Sequence, residues 1–350
     1  MAGGGGTRLW PLSTKKLPKQ FLNLSGRETL VNEAVDRLLG VADKDDIFIV
    51  TNASQTEVML SQTAGRVKAD HILAEPAARN TAACIGYAAI TILKKYGDGI
   101  MCVVPSDPYI RDEKGFQETL QEAVKAAEET DALVTIGISP TFASTGYGYI
   151  RSTAVEGKAY RKVEEFVEKP DEETAREYLE AGSYAWNSGM FIWKASTIVS
   201  YYKKLLPDIY ECLMKLAEGF GTPGEEALLW EVYPAIPKIS VDYGIMERAD
   251  HVLMLTGDFG WSDVGTWGSV YQHSRKDRYA NAVPEEGCYL YDTRSSIVSL
   301  PKDKIAVISG LKEYIVVDTD DVLMVCPRSE EQNIKKFIDE VKFHNGDKHI

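Results

Sequence analysis

The chain has 350 residues, 44% hydrophobic and 26% charged, values of a folded globular protein that exclude wholesale disorder. Its 52 acidic against 39 basic residues leave a net charge of −13, which argues against general binding of nucleic acid or an anionic membrane surface. No apolar stretch approaches the roughly 18 residues of a membrane span, the N-terminus lacks a secretory pattern, and five scattered cysteines form no CxxC, which together point to a reduced, cytoplasmic protein.

In chain order, amphipathic patterns predict helices near 28–39, 81–95 and 115–129. Compact apolar runs at 46–50, 100–104 and 132–136 read as buried parallel strands. This βαβα rhythm predicts a doubly wound α/β sheet, with ligands at the carboxyl ends of its strands. After about residue 275 the pattern changes. Short strand-like runs at 288–291, 296–300, 305–308, 314–317 and 322–325 follow one another with polar turns and no helix between them. They predict a small all-β module, closed by a helix at 329–343 that Ser329 opens with a capping box. The expected domains are 1–275 and 283–350.

The first chemical motif is AGGGGTRLWPLS at 2–13, continued by LPKQF at 17–21. The four consecutive glycines at 3–6 permit close backbone approach and let successive N–H groups form an anion nest, with Gly3, Gly4, Gly6 and Thr7 as candidate substrate-binding residues. Arg8 and Lys19 add the fixed positive charge that a triphosphate needs. A frayed glycine tail is the plain alternative. The spacing is neither GxxxxGK[ST] nor GxGxxG, so neither a P-loop nor a dinucleotide fold is supported.

This loop resembles the nucleotide-binding loop of sugar-1-phosphate nucleotidyltransferases, and with Trp10 and Gln20 it is similar to that of the mannose-1-phosphate guanylyltransferases. Further segments agree in order: EPAARNT at 75–81, PSD at 105–107, TGYGYI at 145–150, FVEKP at 166–170, WNSGMF at 186–191, SVDY at 240–243 and GWSDVGTW at 260–267. The resemblance implies a GT-A-like, Rossmann-like mixed sheet with a small C-terminal left-handed β-helix, and a cytoplasmic homodimer. It implies the reaction of GTP with mannose 1-phosphate to give GDP-mannose and diphosphate. The nucleophile there is already an anionic phosphate oxygen, so catalysis is mostly positioning and charge neutralisation.

By the same resemblance, Asp107 and Asp263 hold Mg²⁺, although each by itself reads as a turn-forming aspartate. Lys169 contacts the sugar phosphate, Glu168 and Asn187 bond the sugar, and Gly146 with Tyr147 belongs to the same pocket. Glu75, Asn80 and Thr81 lie in the segment that reads the base, where helix capping alone also explains the last two. Position 108 departs from the family by carrying Pro where His is usual. The glycine loop normally follows a short apolar strand, whereas here Met1 directly precedes it, which leads to the expectation of a start at an internal Met or of a missing core strand. Five unclustered histidines lead to the expectation of no isomerase activity. Two alternatives stay open: another sugar 1-phosphate or nucleotide, and an inactive paralogue that binds sugar nucleotides.

Overall fold

The computed structural model describes residues 1–4 and 7–350. It divides into two compact units that interleave along the chain. The first comprises Met1–Gly3, Val35–Ser106 and Ile110–Trp261; the second comprises Gly4–Ala34, Asp107–Tyr109 and Ser262–Ile350. The N-terminal loop, expected with residues 35–275, therefore falls in the unit that holds the β-rich tail.

The elements begin with α1 (Leu30–Leu38), β1 (Ile49–Asn52), α2 (Thr56–Gln62), β2 (Ile72–Glu75), α3 (Asn80–Tyr96) and β3 (Ile100–Val103). They continue with β4 (Tyr109–Ile110), α4 (Glu113–Thr130), β5 (Leu133–Ile138), β6 (Tyr149–Ala154), β7 (Arg161–Val167) and α5 (Glu172–Ala181). Then come β8 (Tyr184–Lys194), α6 (Ala195–Leu205), α7 (Pro207–Gly219), α8 (Glu225–Val232), β9 (Val252–Gly257) and β10 (Trp261–Ser262). The expected runs thus become β1, β3 and β5, and the expected helices α1, α3 and α4. β1 begins later than expected because Lys44–Asp46 is a 3₁₀ turn.

In the first unit, six strands form one mixed sheet in the order β3-β8-β5-β9-β7-β6. β5 and β9 run parallel, while β8 is antiparallel to both β3 and β5. The parallel expectation for 100–104 is corrected by this: β3 pairs antiparallel with β8. The reason is legible in the packing. Phe191 and Trp193 of β8 enter one core with Ile85, Tyr202 and Leu213, whereas Met190 and Ile192 enter a second core with Phe116, Leu120 and Ala127 of α4. A strand buried on both faces reads as a continuous apolar run whichever way its neighbours point. Asp112 caps α4 by accepting from the Gly115 N–H at 3.0 Å. β1 and β2 form a separate parallel pair. The Ala2 N–H donates to the Val50 carbonyl at 2.8 Å, and the Met1 amine to the Val104 carbonyl at 2.9 Å, which stitches the first residues to the ends of β1 and β3.

The second unit adds α9 (Trp267–His273), β11 (Cys288–Tyr291), β12 (Ile297–Ser299), β13 (Ala306–Ser309), β14 (Tyr314–Asp318), β15 (Leu323–Pro327) and α10 (Ile334–Asn345). Cys288 lies opposite Ala306 and Ile297 opposite Ile315 in parallel pairs, so one rung of a β-helix recurs at a constant chain offset. β15 then turns back antiparallel on β14. Inside, Ile297, Ile315, Val317 and Met324 pack with Leu9, Trp10 and Trp267. The helix expected at 329–343 is corrected to a 3₁₀ turn, Arg328–Asn333, followed by α10, and no side-chain cap opens either. Glu331 accepts from the Gly268 N–H at 2.6 Å instead of closing a capping box on Ser329.

Candidate active site

In the second unit, Lys19 opens a 3₁₀ turn, Lys19–Phe21, whose three residues are all buried. Burial of the stem fixes where the ammonium points. Nζ donates to Asp107 Oδ2 at 2.9 Å and also to the backbone carbonyl of Asp263. The lysine side chain is 8% exposed and that of Asp107 42%, so water reaches this pair from the aspartate side. Asp263 accepts from the Gly265 N–H at 3.3 Å, and a Cβ on Gly265 would lie 2.6 Å from its Oδ2. One ammonium therefore tethers two acidic residues from distant parts of the sequence.

Arg8 lies in the 3₁₀ turn Thr7–Leu9 and is exposed, as are Gly3, Gly4 and Thr7; Gly6 lies outside the described residues. The turn is anchored by Trp10, whose indole N–H donates to the His349 carbonyl at 2.8 Å and whose own carbonyl accepts from Trp267 at 3.2 Å. Among the described residues, no group of three or more His, Cys, Asp or Glu could hold a metal ion. Two carboxylates are nonetheless an oxygen donor set that suits Mg²⁺ when phosphate oxygens and water complete its shell.

A second constellation sits in the first unit. Glu168 follows β7 with its side chain 7% exposed, pairs with the Lys169 ammonium, and receives its own backbone support from Glu247, which accepts from the Glu168 N–H at 2.9 Å. Its Oε2 is buried without a hydrogen-bond partner among the described residues. A buried orphan acceptor costs about 1–3 kcal/mol unless something donates to it, and this oxygen could accept from a ligand hydroxyl. Gly148 makes room for it, since a Cβ there would lie 2.4 Å from Oε2. Lys169 is held at φ +50° with its side chain half exposed. Asn187 of β8 donates from Nδ2 to Asp242 Oδ1 at 2.8 Å. Burial, and next the charge of Glu168, push the Asp242 carboxyl up to about 6. Gly146, exposed, donates its N–H to Ser144 Oγ at 3.2 Å.

The 75–81 segment also belongs to the first unit, and its last residue is bonded to Val241, the residue before Asp242. Glu75 is buried, with its carboxylate accepting from the Tyr233 hydroxyl, and burial raises its pKa. Asn80 Oδ1 accepts from the Thr81 N–H at 2.8 Å, and Thr81 Oγ1 accepts from the Val241 N–H at 2.9 Å. These polar side-chain atoms are committed within the protein. Asp242 and Gly148 lie within the 240–243 and 145–150 motifs, but their residue types alone point to no role. The one signal available was an Asp between Val and Tyr at 240–243, which resembles any surface turn.

Residues 1–279 match the family model described as Nucleotidyl transferase, and residues 290–341 match the one described as MannoseP isomerase/GMP-like beta-helix domain. The chain is similar to the mannose-1-phosphate guanylyltransferase of Salmonella muenchen, with 36% identity over 353 residues that cover 100% of this chain and 74% of the relative. It is similar to the alginate biosynthesis protein AlgA of Pseudomonas syringae pv. tomato, 35% identical over 97% of this chain and 70% of that protein. The solved structure of mannose-1-phosphate geranyltransferase from Thermus thermophilus matches with a TM-score of 0.87 and 33% identity over 98% of each chain.

Proposed function

The chain belongs to the nucleotidyl transferase family, and on that premise we propose that it transfers GMP from GTP to α-D-mannose 1-phosphate, giving GDP-mannose and diphosphate. The observation that carries this reading is the Lys19 ammonium, buried along its stem and bonded to both Asp107 and Asp263. It brings a fixed cation to the Asp107 carboxylate and to the backbone of Asp263, equipment for gathering a triphosphate. Arg8 and Lys19 neutralise the phosphates; Asp107 and Asp263 would hold Mg²⁺, which when bound lowers the repulsion between two polyanions. Lys169 swings from Glu168 to the sugar phosphate, and the freed Glu168 carboxylate with Asn187 accepts and donates to sugar hydroxyls. Since the Glu75 carboxylate and the Thr81 hydroxyl are bonded internally, the backbone of 75–81 and the exposed Asn80 amide carry the reading of guanine.

The protein works in the cytoplasm as a homodimer. Five free cysteines support the first point, and among the described residues no helix is long and apolar enough to cross a membrane. The outward Tyr289, Tyr291 and Val307 of the β-helix, each more than half exposed, support the second.

The test is pyrophosphate release with each nucleoside triphosphate plus mannose 1-phosphate, with and without Mg²⁺. Release confined to GTP and metal is expected; release with a different triphosphate would discard guanine while keeping the chemistry. Arg8→Ala and Asp263→Asn are each expected to lower turnover at least ~10²-fold, and a loss under tenfold in either removes that residue from its role. Gly148→Ala is expected to raise KM for mannose 1-phosphate at least ~tenfold by displacing Glu168, with KM for GTP unchanged. Equal KM values for wild type and variant would take Glu168 out of the sugar site.

A further inference from the structure

We propose that Asp242 is a positioning residue for the sugar 1-phosphate: it fixes the Asn187 amide with its nitrogen toward the Asp242 carboxylate and its oxygen toward the Gly189 N–H. The inference rests on the sugar-binding reading of Glu168 and Asn187 and names what orients them.

The amide of Asn187 can be built two ways round, and the surroundings admit one. The Gly189 N–H donates to Oδ1 at 3.1 Å, the Thr135 hydroxyl approaches the same oxygen at 3.5 Å, and Nδ2 donates to Asp242 at 2.8 Å. Turned over, the amide would set N–H against N–H on one side and oxygen against a carboxylate on the other. Gly189 reaches this position through a φ of +72°, which a side chain would strain. Asn187 is itself seated by its backbone N–H, which donates to the Gly148 carbonyl at 2.8 Å.

Asp242 is also held in place independently of its side chain. It begins a π-helical turn, Asp242–Met246, a rare geometry that is frequent at functional sites. The residues before it are tied to the start of α3: the Ala82 N–H donates to the Ile239 carbonyl and the Val241 N–H to Thr81 Oγ1. The hydroxyl of Thr81 therefore places Asp242, and Asp242 places Asn187.

The choice of acid here is costly. The charged groups facing Asp242 are Glu168, which repels its charge, and Lys169, which partly compensates; Glu247 stands behind the Glu168 N–H. An asparagine would make the same bond to Asn187 without bringing a second negative charge toward Glu168. Retaining the carboxylate draws the amide nitrogen more firmly than a neutral acceptor would. It also strengthens the field that gathers hydroxyl donors once Lys169 turns to the phosphate.

The sign follows from the raised carboxyl pKa. Ionised Asp242 destabilises the folded chain above about pH 6, and protonation below that relieves the cost while weakening the hold on Asn187. Affinity for the sugar 1-phosphate should therefore fall as pH drops through 6, while stability should not.

Asp242→Ala and Asp242→Asn are compared with wild type by pyrophosphate release, varying each substrate at saturating concentrations of the other. For Asp242→Ala the expected result is a rise of at least ~tenfold in KM for the sugar 1-phosphate, with kcat within ~threefold and KM for GTP within ~twofold. Asp242→Asn is expected to recover most of that KM at pH 7.5, to melt no lower than wild type, and to lose the rise in KM below pH 6. The sugar phosphate titrates near 6 itself, so the ratio of variant to wild type at each pH is the quantity compared. Unchanged KM in Asp242→Ala, from an active wild type, overturns the positioning role alone. Loss of kcat for both variants together with a lower melting temperature makes Asp242 structural and overturns it equally. A wild type silent with every sugar 1-phosphate overturns the functional reading, and this inference with it.

Discussion

Lys19→Ala is expected to lower kcat/KM for pyrophosphate release by about 10²–10³-fold while leaving the melting temperature nearly unchanged. The magnitude comes from what the ammonium does in three dimensions. It offers charge to the phosphates, and it bonds Asp107 and the Asp263 carbonyl at once. Removing it leaves the Asp107 carboxylate and the Asp263 carbonyl without their common donor, so the two segments lose their tether. The fold should tolerate the loss because the Asp107 side chain is 42% exposed and can be hydrated. Lys19→Arg should rescue little. The lysine side chain is 8% exposed, and a planar guanidinium fork needs more room than a compact ammonium. Titrating both substrates separates the outcomes: a loss confined to KM for GTP would mean uniform binding, and a loss under tenfold would remove Lys19 from the reaction.

The largest expected effect on stability belongs to Trp267→Ala. Trp267 is 1% exposed, shares a core with Leu9, Trp10, Val264 and Val270, and donates from its indole to the Trp10 carbonyl at 3.2 Å. Truncating a buried Trp costs about 3–5 kcal/mol through lost transfer energy and the cavity left behind. Here the Trp10 carbonyl also loses its donor. The same core seats the loop that carries Arg8, so turnover should fall in step with folding of the second unit. Urea denaturation followed by tryptophan fluorescence checks this. Phe343→Ala is the control: that side chain is 85% exposed and its loss should move stability by no more than about 0.5 kcal/mol. Equal midpoints for Trp267→Ala and wild type would contradict the packing described for this unit.

Local periodicity carried much of the first unit. The runs at 100–104 and 132–136 and the helices at 81–95 and 115–129 were legible because a compact apolar run and the 3.6-residue period are properties of consecutive residues. β8 was not, because Asn187-Ser188-Gly189 has the composition of a turn and interrupts its apolar residues in the middle of the strand. The helix start at Ile334 was missed for a related reason. Ser329 and the glutamates after it have the composition of a capping box, but Glu331 is drawn to a distant backbone N–H.

Among the proposed site residues, Lys19 stood out by charge beside the glycine loop, while Asp107, Glu168, Asn187 and Asp263 stood out through the ordered motifs of the family resemblance, since each alone reads as an ordinary turn or surface residue. By itself the amino-acid order determined the βαβα rhythm, the change to short β-runs after residue 275, and which side chains could meet a phosphate or a sugar. Tertiary structure decided which of them meet each other. Lys19 finds Asp107 and Asp263, Asn187 finds Asp242, and Glu75 spends its carboxylate on Tyr233. These pairings join residues far apart in the chain, and their geometry depends on how buried stems and backbone anchors fix each polar atom. Neighbouring residues encode a period; they do not encode the distant partner that a buried charge or amide must find to be stable.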